Sequence, residues 1–247
     1  MKIGIVSDIH EDIIMLKKAM RIFEHEQCDT LVCLGDITGF SGNHYIHAAT
    51  KNAHQCIEII KHHFHIAVTG NHDLFTLKKL PEHKAGVQYP ENWFELTVEE
   101  QQKVVNNKVW LYEDEEHVCL KDQDIDFLNS LPEYQIMEQP DGNILFSHYL
   151  FPDFTGSLKH FHTDIYDFMP HIRYMKEKNI KFSFCGHSHI EGTHIAYASK
   201  LRRKRFKKMT LKNRLQCIAG PVLASGSNAK GLMIFEPSSL ILNIVKL

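Results

Sequence analysis

Five short apolar runs, separated by longer segments, constrain the fold of this chain more than any other feature. They are residues 2–6, 30–34, 64–68, 143–147 and 180–185. Between the first three lie DIIMLKKAMRIFEHEQ and HAATKNAHQCIEIIKHH, whose apolar residues return at helical spacing. This pattern predicts strand, helix, strand, helix, strand. Because such crossovers join parallel strands, we expect an α/β fold.

The end of the chain has a different pattern. GTHIAYASK, RLQCIAG, GLMIFEP and LILNIVKL are short β-branched runs separated by turn residues, which predicts antiparallel strands and a second sheet. A length of 247 residues suits one domain over 1–247. We therefore expect a two-sheet sandwich with helices outside. The more polar segment at about 74–139 predicts a mostly helical insertion, laid over the sheet edge as a cap.

Composition excludes several classes of protein. The net charge is -2, and no apolar run approaches the roughly 20 residues that a membrane span requires. The first residues, MKIGIVSDIH, are interrupted by Asp8 and His10 too early for a secretory segment, so we expect a cytoplasmic protein. The six cysteines show no CxxC spacing, which argues against zinc knuckles and disulfides.

Every predicted strand of the first pattern ends in residues that bind metal ions. The ends are SDIH, GDI, GNHD, SHY and GHSH. Because the carboxyl ends of strands in an open α/β sheet converge on one crevice, we expect these side chains to meet there. Two-residue alternation further predicts that both polar side chains of 8–10, and both of 187–189, project to one side of an extended segment. The candidate residues are Asp8, His10, Asp36, Asn71, His72, His148, His187 and His189.

The chemistry of these residues favours metal binding over a thiolate site. Imidazole, carboxylate and amide groups suit Mn²⁺, Fe or Zn²⁺. The ligands are too many for one ion, and two ions need a bridging carboxylate, for which Asp36 is the natural choice because it stands alone after its strand. Two divalent cations, less Asp8, Asp36 and a bridging hydroxide, leave a net charge of about +1. Such a site favours an anionic substrate such as a phosphate ester.

In this order the five motifs resemble the calcineurin-like metallophosphoesterase family. Residues 35–73 and 124–149 are similar in particular to its small bacterial phosphodiesterase branch, which includes enzymes similar to diadenosine tetraphosphate hydrolases. The resemblance implies a four-layer α/β/β/α sandwich and two divalent metal ions, Mn²⁺ first, with Fe or Zn²⁺ as alternatives. It also implies in-line attack on phosphorus by a metal-bridging hydroxide.

The resemblance also implies a role for each motif residue. One metal would be held by Asp8, His10 and His189, the other by Asn71, His148 and His187, and Asp36 would bridge them. His72 would stabilise the transition state and protonate the leaving oxygen. For Asp73, we weigh orientation of His72 or a ligand against a turn or cap role. Where the protein phosphatases of this family carry a supporting Asp, this chain has Gly39, which disfavours a protein phosphatase.

A basic segment adds a second feature. Residues 200–214 hold nine of the 28 basic residues and no acidic one. We expect a hairpin at about 199–214 that either grips a polyanion such as nucleic acid or guards an exposed edge strand. The candidate substrate-binding residues are Arg202, Arg203, Lys204 and Arg205.

Three functions therefore remain open at this point. The first is a dinuclear phosphodiesterase or phosphatase acting on a small, nucleotide-like phosphate ester. The second is a nuclease that uses the basic segment. The third is a non-catalytic scaffold of the same fold, which would be expected to lack ligands, whereas here all are present. The sequence leaves open monoester or diester preference, the metal pair and the oligomeric state.

Overall fold

The computed structural model describes residues 1–224, 226 and 229–247. Within these residues twelve strands form two six-stranded sheets. The first sheet has the order β3 (Ile66–Ala67), β2 (Thr30–Cys33), β1 (Ile3–Val6), β11 (Gly231–Glu236), β12 (Ile241–Lys246), β9 (Lys208–Thr210). The second has the order β4 (Tyr134–Met137), β5 (Asn143–Ser147), β6 (Ile180–Cys185), β10 (Gln216–Ala219), β7 (Thr193–Tyr197), β8 (Lys200–Lys204).

Six α-helices accompany the sheets in the described residues. None of them combines the length and apolar character that crossing a bilayer demands. The helices are α1 (Ile13–His25), α2 (Ala53–His63), α3 (Asn71–Thr76), α4 (Val98–Val105), α5 (Asp122–Ser130) and α6 (Ile165–Glu177).

The two sheets pack face to face, with helices on both outer surfaces. Phe146, Phe184 and Phe235 are fully buried between the sheets. Leu16 of α1 and Ile57 of α2 bury against the outside of the first sheet, while apolar residues of α6 do so against the second. Each sheet is thus apolar on both faces, as a layered α/β protein requires. The predicted four-layer α/β/β/α sandwich is confirmed.

The parallel strands are divided between the two sheets. Strands β1, β2 and β3 run parallel in the first sheet, and β5, β6 and β10 run parallel in the second. We expected the five apolar runs to form one sheet, and this expectation is wrong. Hydrophobic periodicity identifies a strand but not the strand with which it pairs. The carboxyl ends of these runs still open onto one edge of the sandwich: the His148 Nδ1, after β5, lies 2.8 Å from the Leu34 carbonyl oxygen, after β2.

The predicted insertion, about 74–139, packs partly as a unit of its own and partly with the sandwich. Its middle has a small apolar cluster of its own that includes Val87, Trp93, Val105 and Val109. The later part returns to the sandwich, where Leu128 of α5 packs into the core beside α2 and β4 pairs with β5 as an edge strand. The later part of the segment therefore joins the two sheets, and the cap role of its middle stays a prediction.

The basic segment does not form a hairpin of its own. Strand β8 pairs with β7, whereas β9 pairs with β12 of the other sheet. The chain crosses between the sheets around Phe206, which packs against the central core. The buried contact of Phe206 therefore separates the basic segment into two parts, and each part belongs to a different sheet.

Candidate metal centre

Five of the predicted ligands that follow the strands have left-handed backbone conformations, which set the direction of their side chains. The φ angle is 53° at Asp8, 43° at His10, 52° at Asp36, 63° at His187 and 46° at His189. Non-glycine residues adopt this region rarely, and such residues concentrate at functional sites. The extended geometry predicted for 8–10 and 187–189 is therefore wrong. Their side chains converge because the backbone turns, which two-residue alternation does not anticipate.

The turn after β3 lies directly against a side chain of the turn after β2. A Cβ built on Gly70 would overlap the Asp36 carboxylate, so glycine is needed for this contact. The backbone N–H of His72 then donates to Asp36 Oδ1 at 2.9 Å. The turn that carries Asn71 and His72 is thereby tied to the carboxylate predicted to bridge.

The first predicted ligand group comes together at this edge. Its members are Asp8, His10 and His189, whose ligand atoms all lie within 4.8 Å of one another. The Nε2 atoms of His189 and His10 lie 3.2 and 4.0 Å from Asp8 Oδ1. Asp8 and His10 are fully buried, and His189 is partly exposed.

The second group contains a central carboxylate that also lies near the first group. Asp36, His148 and His187 also have ligand atoms within 4.8 Å of one another. Asp36 Oδ2 lies 3.0 Å from His148 Nε2 and 3.8 Å from His10 Nε2, and His187 Nδ1 lies 3.2 Å from His148 Nε2. Asp36 therefore lies between the two groups, as a bridging ligand would.

Backbone carbonyls set the tautomers of two of the rings. His10 Nδ1 lies 2.7 Å from the Gly39 oxygen and His148 Nδ1 lies 2.8 Å from the Leu34 oxygen. A carbonyl only accepts, so each Nδ1 carries a hydrogen. The Nε2 atom of each ring therefore faces Asp36, and it is the nitrogen that would bind a metal ion after losing any proton it carries. The buried His10 Nε2 finds no hydrogen-bond partner among the described residues.

Tyr112 of the insertion orients the amide of Asn71. The Asn71 Nδ2 donates to the Tyr112 hydroxyl at 2.9 Å. Its Oδ1 is buried and, within the described part of the chain, has no hydrogen-bond partner. Since a buried acceptor without a partner is costly, this oxygen suits a cation, which supports the place of Asn71 among the predicted ligands.

The buried histidines and carboxylates of the centre shift one another's pKa values. Burial lowers the pKa of His148, but the Asp36 and Asp8 carboxylates outweigh burial and raise it to about 10. Burial raises the pKa of Asp8, yet His148 and the neighbouring rings hold it well below its ordinary value. Protons on imidazole thus balance the carboxylates. The donor set of imidazole, carboxylate and amide fits divalent metal ions, which would take the place of these protons.

His72 stands beside the ligands, with a partner from the insertion. Its ring centroid is 4.8 Å from that of His10, and its Nδ1 is 2.6 Å from Glu115 Oε2. Burial lowers the pKa of His72, but Asp36 and Glu115 raise it to about 9. Sequence reasoning missed Glu115 and gave Tyr112 no role at the centre, and only the run of four acidic residues at 113–116 hinted at an unusual segment.

Asp73 joins two of the turns that carry ligands. Its Oδ1 accepts from the backbone N–H groups of Ile37 and Thr38, both at 2.9 Å, and from the Thr38 hydroxyl at 3.0 Å. Its Oδ2 accepts from the Gly70 N–H at 3.1 Å, which caps α3. Asp73 therefore caps a helix and holds the turns after β2 and β3 together, which is the turn and cap role; orientation of His72 or a ligand stays a prediction.

A cavity of about 690 Å³ opens over the centre. Apart from the centre itself, its lining combines apolar, neutral polar and acidic side chains with one further histidine, and it includes Ile46, Trp110, Phe161, Asp114 and Glu115. Ile46 and Phe161 are 80% and 43% exposed. Within the described chain, no lysine or arginine lines this cavity.

The predicted basic contacts lie elsewhere. They belong to the edge strand β8 and the residue after it, and none of them lines the cavity. Arg203 donates to the Thr163 carbonyl, and Arg202 lies over the Tyr197 ring. The residues are Arg202, Arg203, Lys204 and Arg205, whose substrate role stays a prediction.

Comparisons with known proteins agree with this architecture. Residues 1–206 match the sequence profile of the calcineurin-like phosphoesterase superfamily domain. An uncharacterized protein of Methanocaldococcus jannaschii is 24% identical over 261 residues, which cover 99% of this chain and 86% of that protein.

Solved structures show the same fold at low identity. A metallophosphoesterase from Sphaerobacter thermophilus aligns with a TM-score of 0.64 at 16% identity, covering 100% of this chain and 88% of that one. A protein provisionally assigned as a diadenosine tetraphosphatase aligns with a TM-score of 0.50 at 14% identity, covering 99% of this chain and 93% of that one.

Proposed function

The chain belongs to the calcineurin-like phosphoesterase superfamily, as its strand-end motifs predicted, and from this premise we propose that it is a dinuclear-metal phosphodiesterase. The observation that carries the proposal is the position of Asp36, whose Oδ2 lies 3.8 Å from His10 Nε2 in the first ligand group and 3.0 Å from His148 Nε2 in the second. One metal would be held by Asp8, His10 and His189, and the other by Asn71, His148 and His187. When bound, the ions would activate water and withdraw charge from the phosphoryl oxygens.

The charge of the cavity supports a diester over a monoester. Two divalent ions with Asp8, Asp36 and hydroxide carry about +1. The described lining adds the carboxylates of Asp114 and Glu115, the second of them offset by protonated His72, but no lysine or arginine. A phosphodiester carries one negative charge, whereas a monoester dianion carries two. We therefore infer that the site is matched to a singly charged phosphoryl group.

The shape of the cavity supports a small organic ester. A volume of about 690 Å³ is in the range of small-molecule sites, roughly 300–1,000 Å³. Trp110 and the exposed Phe161 pack with their ring centroids 5.3 Å apart beside the metal ligands and offer apolar surface to a substituent such as a nucleobase. The nuclease alternative has less support, because the basic strand does not line this cavity.

His72 and Asp73 complete the proposed roles. His72, whose Nδ1 is occupied by Glu115, would stabilise the transition state and give a proton from Nε2 to the leaving oxygen. Asp73 would hold together the two turns that carry ligands after β2 and β3. Mn²⁺ is the metal we propose first, with Fe or Zn²⁺ as alternatives, and a cytoplasmic location also stays a prediction.

The test is hydrolysis of bis(p-nitrophenyl) phosphate alongside p-nitrophenyl phosphate by metal-stripped protein reloaded with Mn²⁺, Zn²⁺ or Fe²⁺. Metal content is measured in parallel. We expect diesterase activity with two ions per chain, and loss of both activity and at least one ion in Asp36→Asn. The exposed Asp126→Asn is the matched control. Turnover of the monoester alone would reject the diesterase, and one ion per chain would reject the dinuclear centre.

A further inference from the structure

The core of the protein leaves no room for an acidic partner of His72. The residue on the neighbouring turn is Gly39, with a φ of 91°. A Cβ built there would lie 2.5 Å from the His72 Cβ and 2.6 Å from its Nδ1. Any side chain at position 39 would therefore displace the imidazole. A group that supports this ring has to approach from outside the sandwich.

Glu115 makes that approach from the insertion. Its Oε2 lies 2.6 Å from His72 Nδ1, and its side chain is only 6% exposed. A carboxylate accepts hydrogen bonds and donates none, so Nδ1 carries the hydrogen. Nε2 is then the ring nitrogen left for a substrate in the cavity, which both His72 and Glu115 line.

Contacts on both sides of Glu115 fix its position. The Glu116 N–H donates to the Phe40 carbonyl at 2.8 Å, and Asp114 Oδ2 accepts from the Ser41 hydroxyl at 2.8 Å. Tyr112 lies with its ring centroid 4.8 Å from that of His72. The strap, residues 112–116, is thus fastened to the loop after β2, and Glu115 is held against the imidazole.

We propose that Glu115 is a positioning residue for His72, so that the insertion, and not the sandwich, completes the acid of the reaction. This inference rests on the proposed function. Glu115 fixes the ring orientation and the Nδ1–H tautomer, and its charge stabilises the imidazolium that donates from Nε2.

The proton balance of the step is simple. Water first gives one proton to solvent, and the oxygen of the resulting hydroxide forms a bond to phosphorus while the bond from phosphorus to the leaving oxygen breaks. The leaving oxygen keeps the electron pair of that bond and takes the Nε2 proton. His72 is left neutral, with its Nδ1–H still donated to Glu115, and regains a proton from solvent. The products are a monoester and an alcohol.

The first experiment compares two diesters that differ in their need for this proton. Diphenyl phosphate releases a phenol about as basic as a tyrosine side chain, pKa about 10, whereas bis(p-nitrophenyl) phosphate releases a much weaker base that leaves without help. We expect Glu115→Gln to lower kcat on diphenyl phosphate by roughly 10–100-fold, and on bis(p-nitrophenyl) phosphate by less than about 3-fold. KM and metal content should not change.

The controls separate positioning from general damage. Glu113→Gln removes the same charge from an exposed residue two positions away and should match wild type on both esters. In a His72→Ala background, Glu115→Gln should add no further loss, since the two residues act as one unit. Equal losses on both esters, additive losses with His72→Ala, or wild-type kinetics would each overturn the proposal.

A second readout does not depend on turnover. In metal-free protein labelled with ¹⁵N-histidine, we expect His72 to show a protonated Nδ1 in wild type and in Glu113→Gln, and to lose this signature in Glu115→Gln. If wild type hydrolyses neither ester, the proposed function fails. The spectra would still test whether Glu115 holds the proton on His72 Nδ1. An unchanged His72 spectrum in Glu115→Gln would overturn that pairing.

Discussion

Asp73→Asn tests whether one buried carboxylate holds the metal centre together. The variant keeps an oxygen that can accept from Ile37 and Thr38, but its amide nitrogen faces the Gly70 N–H. A buried donor left without an acceptor costs about 1–3 kcal/mol. Weakening of the three charge-assisted bonds brings the expected destabilisation to about 2–4 kcal/mol.

Repulsion from Asp36 reduces this loss in the metal-free protein. Burial and the Asp36 charge raise the pKa of Asp73 to about 6, so removing the Asp73 charge relieves some strain there. Bound cations would neutralise Asp36 and remove that compensation. We therefore expect a larger loss of stability in metal-loaded protein, which is equivalent to weaker metal binding, by roughly 10–100-fold.

The assay is thermal unfolding of metal-loaded and metal-stripped protein, with metal titration by calorimetry. For a chain of this size, 2–4 kcal/mol corresponds to a fall in Tm of roughly 5–15 °C. Asp126→Asn, on the exposed face of α5, should leave Tm and affinity unchanged. A Tm within about 1 °C of wild type together with unchanged metal affinity would refute the reasoning, because the four hydrogen bonds would then carry no weight.

Three further predictions concern other parts of the molecule. Tyr112→Phe leaves the Asn71 amide without its partner and should weaken metal binding about 10-fold by calorimetric titration; unchanged affinity would contradict this. Replacing Arg202, Arg203, Lys204 and Arg205 by glutamine should leave KM for bis(p-nitrophenyl) phosphate and its salt dependence unchanged, since none lines the cavity; a higher KM would return them to the site. The pKa of His148 is about 10 in the folded metal-free protein and about 6.5 in the unfolded chain, so its protonation favours folding fully below pH 6.5 and is lost as the pH rises towards 10. The Tm of stripped protein should therefore fall more steeply between pH 7 and 9.5 than that of loaded protein, and parallel curves would show that this ring carries no such charge.

Some features could be predicted from the sequence because they are local. Asp8, Asp36 and Asn71 each follow an apolar run within four residues, so strand periodicity was enough to place them at one edge. The sheet to which β5 and β6 belong could not be predicted, because pairing depends on contacts far apart in the chain. Glu115 was missed for the same reason: it meets His72 across 43 positions and sits in a run of four acidic residues typical of a solvated surface.

The seam between the two sheets has a consequence for how a nascent chain matures. Asp8 is made among the first residues, yet its carboxylate accepts from the His187 N–H and its carbonyl from the Ala224 N–H. Because domains fold as units during synthesis, a growing chain would lack half of the centre until nearly all of it had left the ribosome. The centre would then be completed in a single late step, when the second sheet packs against the first. A truncated chain would contain Asp8 and Asp36 but would lack the later histidines of the centre.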